Sequence, residues 1–250
     1  MPARRGPSGS NPRPSPAFRS LALSDPRSED CKTRRLLRTL EAFPTYSEEL
    51  GLNLASPSNW FPWFVSASLF AKPIPATTAA RTASLLIEAG VRTPERAKRT
   101  GWEGLVRLLD QGGYVRYDFS TADKLLEIAG CLMDSDVFQT LATEPNFTEV
   151  EKRLTGIRGV GPKTVEIFLR ELQGYWKNSP PWSEEARQAA RRLGLDFDGR
   201  TLAPLHRRKV ESGLVRLWIE HCKPGRWWNC PAGTDCGCQL LGPRNRRRRG

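Results

Sequence analysis

Leu154-Thr-Gly-Ile-Arg-Gly-Val-Gly-Pro-Lys-Thr-Val-Glu-Ile-Phe-Leu-Arg-Glu-Leu172 reads as the end of one helix, a tight turn and a second helix. Gly159 and Gly161 flank Val160 in the turn, where glycine accepts backbone conformations that other residues resist. Pro162 suits the first turn of the following helix, because the N–H it lacks has no intrahelical partner there. Val165, Phe168, Leu169 and Leu172 then recur at helical spacing. The second helix therefore begins with free backbone N–H groups, a ready anion site. Lys163 adds a positive charge and Thr164 a hydroxyl, and together with the amides of Gly159, Val160 and Gly161 they suit the phosphates of a nucleic acid.

Outward from the hairpin the chain punctuates into helices. Lys32 to Phe43 predicts a short basic helix, and Trp60, Trp63, Phe64, Ser68 and Ala71 form a helical stripe best suited to a core. Ala76 to Ala89 predicts a helix closed by Gly90, and Trp102 to Leu109 one stopped by Gly112-Gly113. Ser120 is an N-cap candidate for a helix through Leu125, Ile128, Ala129 and Leu132. Shorter helices are expected near Asp136–Thr143 and Thr148–Leu154, and longer ones over Pro181–Leu193 and Pro204–Cys222. With no period-two run and no Asn-Gly hairpin, the expected class is all-α.

The chain has 250 residues and a net charge of +12, concentrated at its ends. Residues 1–38 carry nine Lys/Arg against three Asp/Glu, and residues 242–250 hold five Arg, which leaves the body nearly neutral. Such ends attract polyanions in a salt-sensitive way, or are simply solvated. The Pro/Ser/Arg-rich start lacks the apolar core of a secretory signal, and no apolar run reaches membrane-spanning length. The expected organisation is a disordered tail over 1–30, a helical body over 31–221 with the hairpin at 154–172, a cysteine segment over 222–238 and an Arg-rich tail over 239–250. A cytoplasmic, nucleoid-associated monomer with no membrane partner is the corresponding expectation. Four of the six cysteines, Cys222, Cys230, Cys236 and Cys238, cluster near the end, a pattern that in an intracellular protein favours metal over disulfides.

Ile157-Arg-Gly-Val-Gly-Pro-Lys-Thr-Val165 resembles the helix-hairpin-helix of endonuclease III-like DNA glycosylases of the HhH-GPD superfamily. Leu69-Phe-Ala-Lys72 leading into Ala79-Ala-Arg-Thr82 is similar to the family's wedge-loop segment, and Gly112-Gly-Tyr-Val-Arg-Tyr117 to its glycine-tyrosine turn. The terminal cysteines stand where many members hold a [4Fe–4S] cluster. The resemblance spans roughly residues 45–240 and implies a two-lobed helical fold, a double-stranded DNA partner carrying a damaged base or abasic site, and excision of a base flipped into a cleft. Lys163 falls at the position of the Schiff-base lysine of bifunctional members, and a phosphate-contacting role is the alternative. Lys72 falls where a residue fills the gap left by the flipped base, again with a solvated lysine as the alternative.

Two departures stand out. The family's Asp, about eighteen residues after the lysine, is missing: Gln173 to Trp182 contains no carboxylate. Glu184, Glu185, Asp196 and Asp198 are the nearest acids downstream, each with an alternative reading as a helix N-terminal charge or turn residue. A catalytically inactive DNA-binding protein is thus the rival reading. The cysteines depart from the family pattern Cys-x6-Cys-x2-Cys-x5-Cys, because Trp227 occupies the second ligand position. Cys238 is the substitute, leaving a [4Fe–4S] cluster, a Zn site and a metal-free remnant as alternatives.

Overall fold

The computed structural model describes residues 26–133, 137–138, 141, 146–175, 180–195 and 202–236. These are mostly helical and contain no β-strand. The helices are α1 (Pro26–Glu41), α2 (Tyr46–Glu49), α3 (Trp60–Phe70), α4 (Ala76–Glu88), α5 (Pro94–Gly112), α6 (Asp118–Met133), α7 (Phe147–Thr155), α8 (Pro162–Glu171), α9 (Glu184–Leu193) and α10 (Pro204–Leu217). A π-helical turn, Trp218–Cys222, prolongs α10. No helix among the described residues is long and apolar enough to cross a membrane.

Apolar spacing makes these helices, and capping sets their ends. Asn146 caps α7 by accepting from Thr148 N–H, Thr93 caps α5, and Ser183 caps α9. Three boundaries differ from expectation. α1 starts at Pro26, inside the stretch read as tail. α5 starts at Pro94 rather than near Trp102 and passes through a kink at Gly101, whose φ of 68° interrupts the apolar period. α6 starts two residues before Ser120, which instead donates a side-chain hydrogen bond to Tyr117 C=O. Of the helix expected near 136–143, only residues 137, 138 and 141 lie inside the described residues.

Two hydrophobic clusters organise the packing. The larger runs from Tyr46 to Leu172 and is centred on α3, where Trp60 to Ala67 and Leu69 are all buried. The aromatic stripe is therefore the middle of a helix enclosed on all sides. Phe64 and Phe168 pack edge to face with centroids 4.9 Å apart, and Trp63 Nε1–H donates to Phe168 C=O at 3.1 Å, fixing α8 against α3. The second cluster joins α1 to α9, α10 and Cys236 through Leu36, Leu40, Ala189, Val210 and Leu214. Gly213 makes the α1–α10 approach close, since a Cβ there would lie 2.3 Å from Leu40 O.

A buried polar network stitches the clusters together. Glu171, fully buried, accepts from the N–H groups of Tyr46 (3.2 Å) and Ser47 (2.9 Å), which anchors the start of α2 to the end of α8. Glu211 on α10 accepts from Gln173 Nε2 (2.6 Å) and Ser183 N–H (2.9 Å). Arg207 donates to Gln173 Oε1 and Pro180 C=O. Inside a low-dielectric core such bonds are strong because water does not compete.

Candidate functional site

The hairpin is built as its glycines require. After α7 the chain turns through Gly159, whose φ of 88° favours glycine, and Val160 N–H donates to Ile157 C=O. Val160 itself is buried in the larger cluster. Gly161 caps α8, and a Cβ there would meet nothing within 4 Å. No folding contact therefore demands glycine at 161; a ligand approaching the backbone would. The N–H groups of Gly161 and Lys163 have no acceptor among the described residues.

Gly159, Val160, Gly161, Lys163, Thr164 and Lys72 all line one cleft of about 370 Å³. Lys124 of α6 lines it too, and the Lys72 ammonium lies against that of Lys124 and 5.5 Å from the Tyr117 ring centre. Burial, reinforced by the neighbouring Lys124 charge, holds the Lys72 amine below the ordinary lysine range. Two like charges facing each other beside free helix amides make a strongly positive recess. Tyr114 lies beneath this surface, almost fully buried, and donates to Leu69 C=O at 2.8 Å to hold the loop that carries Lys72.

Lys163 and Lys72 also line a second cavity of about 500 Å³ between the two hydrophobic clusters. Its walls are Tyr46, Phe70, Ile74, Ile167 and Trp218, and its charged groups are Lys72, Lys163, Arg170, Lys223 and Glu185. Lys163 Nζ donates to Glu166 Oε1 (2.7 Å) and to both oxygens of Glu185 (2.8 and 2.7 Å). Burial alone would raise the Glu185 carboxyl; the hydrogen bond from Lys163 and a backbone amide outweigh it and hold the group below the usual carboxylate range. Glu184 instead turns to Arg187 and Gln188 on its own helix. Asp196 and Asp198 lie outside the described residues.

Lys124, Glu166 and Arg170 are site residues that the sequence reading did not single out. Arg170 follows Lys163 by seven positions, which places the two on one helical stripe. That spacing, with a charge embedded in an apolar helix end, was the available signal.

The terminal cysteines gather on the second cluster, with Cys236 buried and Cys222 and Cys230 half-buried against it. Cys238, the fourth expected ligand, lies outside the described residues. Among the described residues no three His, Cys, Asp or Glu side chains are grouped to hold one metal ion. Asp235, immediately before Cys236, receives Arg35 of α1 in a two-pronged ion pair at 2.6 and 2.5 Å. No family model matches the chain, and no curated protein matches it in sequence.

Proposed function

We propose that this chain is an endonuclease III-like DNA glycosylase of two-lobed HhH-GPD architecture, excising a damaged base and acting on the resulting abasic site. The observation that carries the reading is the position of Lys163, which joins the positive hairpin cleft to the deep cavity and holds a carboxylate against its amine. The hairpin amides, Lys72 and Lys124 would grip phosphates, while the cavity would receive the flipped nucleotide. Glu185 supplies the carboxylate that spacing alone did not find.

In this mechanism Lys163 passes a proton to Glu185 and its freed amine attacks C1′ of the flipped sugar. The C1′–N bond breaks, its electron pair leaving with the base. Ring opening gives an imine between Nζ and C1′. Loss of a 2′ proton and departure of the 3′ phosphate then cleave the strand, and water releases the lysine. No step runs through a metal. A [4Fe–4S] or Zn site at Cys222, Cys230, Cys236 and Cys238 remains a separate proposal, decided by iron and zinc analysis of anaerobically purified protein.

Borohydride trapping on an abasic duplex tests the reaction. A trapped complex in the wild type that is lost in Lys163→Ala and at least 100-fold slower in Glu185→Gln is expected. Wild-type binding without trapping or base release would leave the second reading, a DNA-binding protein without chemistry. That reading is favoured by the double ion pair, which occupies the Lys163 amine with Glu166 and Glu185.

A further inference from the structure

We infer that Lys72 is the base that takes the 2′ proton in the strand-cleaving step, because it shares with Lys163 the place where the hairpin cleft adjoins the deep cavity. The inference rests on the glycosylase reading, in which Lys163 forms the imine, and names the proton acceptor for the step after it.

Ala71, Lys72 and Lys163 line both spaces, the cleft of about 370 Å³ and the cavity of about 500 Å³. The two lysines therefore stand at the junction, Lys163 from the start of α8 and Lys72 from the connection between α3 and α4. That connection is tied down. Lys72 N–H donates to Leu69 C=O at 3.2 Å, Ile74 N–H donates to Lys72 C=O at 2.8 Å, and the Tyr114 hydroxyl donates to Leu69 C=O. Pro73 and Pro75 restrict the backbone on either side of Ile74. The half-buried Lys72 side chain thus starts from a set position.

Its amine lies against that of Lys124 on α6 and 5.5 Å from the Tyr117 ring centre, a ring that Arg116 also approaches. An ammonium has three donors and no acceptor, so two ammonium groups in contact only repel; once one gives up its proton, its lone pair accepts from the other. Burial first, and the Lys124 charge after it, hold the Lys72 amine below the ordinary lysine range. A lysine set beside a second cation is thereby available as a base nearer neutral pH. The other charged groups lining the cavity are Lys163, Arg170, Glu185 and Lys223. Arginine stays protonated, Lys163 is bonded to C1′ in the imine, and Glu185 is directed at the Lys163 amine. Of the two remaining lysines, Lys72 is the one that also lines the hairpin cleft.

The step balances without a further reactant. Unprotonated Lys72 Nζ takes the C2′ proton, the C–H electron pair becomes the C1′=C2′ bond, and the iminium nitrogen recovers its lone pair. That lone pair then returns to form C=N, C2′=C3′ forms, and the C3′–O bond breaks with its electrons leaving on the 3′ phosphate. Lys72 ends as an ammonium beside Lys124, whose repulsion favours return of the proton to water.

Single-turnover reactions on an abasic duplex, with protein saturating, measure borohydride-trapped imine and cleaved strand in parallel. In Lys72→Gln the imine should accumulate, with the ratio of trapped complex to cleaved strand rising about 10²-fold or more. Lys72→Arg keeps a cation able to hold a phosphate but accepts no proton, so it should show the same rise, and it carries the comparison if the glutamine variant does not fold. Wild-type cleavage of the preformed imine should increase with pH and level off below the ordinary lysine range, and Lys124→Ala should move that rise to higher pH. Trapping and cleavage that fall in proportion, a wild-type ratio in Lys72→Arg, or a pH profile unmoved by Lys124→Ala would each overturn the inference and leave Lys72 a phosphate contact. Those results leave imine formation by Lys163 intact, whereas a wild type that binds the abasic duplex and never traps would defeat the glycosylase reading, and this inference with it.

Discussion

Glu211→Ala probes the network that holds the two clusters and both cavity walls. The Glu211 side chain is 1% exposed and accepts two hydrogen bonds, from Gln173 Nε2 and Ser183 N–H. Alanine leaves Ser183 N–H buried without an acceptor, at about 1–3 kcal/mol, and leaves Gln173 Nε2 with Arg170 C=O alone. It also removes countercharge near Arg170 and Arg207. Breaking a buried charged set in this way costs about 3–5 kcal/mol. With a urea m-value of about 3 kcal/mol/M, the denaturation midpoint should fall by roughly 1–1.7 M. The pH dependence has a definite sign. Burial raises the Glu211 carboxyl more than Arg170, Ser183 and Gln173 lower it, so its folded value exceeds the unfolded one. Its contribution to stability is therefore full below the ordinary carboxylate range and diminishes as pH rises through the folded value. Alanine abolishes that dependence, and the gap between wild type and variant narrows with rising pH. A loss below about 1 kcal/mol at neutral pH, or a gap that widens with pH, would refute the reasoning.

Lys124→Ala should weaken duplex binding and lower the slope of log K against log[salt] by about 0.9, with melting unchanged; an unaltered slope would remove Lys124 from the proposed phosphate interface. Gly161→Ala should fold normally, because its Cβ enters open space, yet bind an abasic duplex more weakly in a titration; unchanged affinity would place the backbone approach elsewhere. Gly213→Ala drives a methyl group toward Leu40 O and should destabilise the chain by about 1–3 kcal/mol in thermal or urea unfolding, with a loss near zero showing that α1 moves aside freely.

The helices from α3 to α8 were legible because apolar period, caps and glycines agree locally. The hairpin was clearest: Gly159 takes the positive φ of the turn and Pro162 the first turn of α8, and together they fix where one helix stops and the next begins. The kink at Gly101 hid the first half of α5, since a helix that changes direction also changes the face its apolar residues must cover. Pairing of α1 with α10 was illegible for another reason. It joins Leu36 and Leu40 to Val210 and Leu214 across most of the chain, and no local pattern encodes which amphipathic faces meet. The same limit applies to Lys124, which reads as an ordinary solvated lysine on α6 until the hairpin is folded against it.

Glu185 shows what a spacing rule can miss. Proton transfer requires a carboxylate within hydrogen-bond reach of the amine and is indifferent to the number of residues between them. Here the two are 22 positions apart, and the acid stands in the first turn of α9, where Ser183 caps the helix and its N–H is held by Glu211. A connection that delivers its carboxylate from a capped helix start fixes the direction of approach as well as the distance. On the proposed function the two tasks of α8 would be separate in space: its leading amides face the positive cleft, while the Lys163 side chain reaches Glu185 at the edge of the cavity. Gripping and chemistry should accordingly come apart under substitution, with Gly161→Ala impairing binding and Glu185→Gln impairing turnover on DNA that is bound as tightly as before. A Glu185→Gln protein that loses affinity and rate together would show instead that the ion pair serves to shape the hairpin.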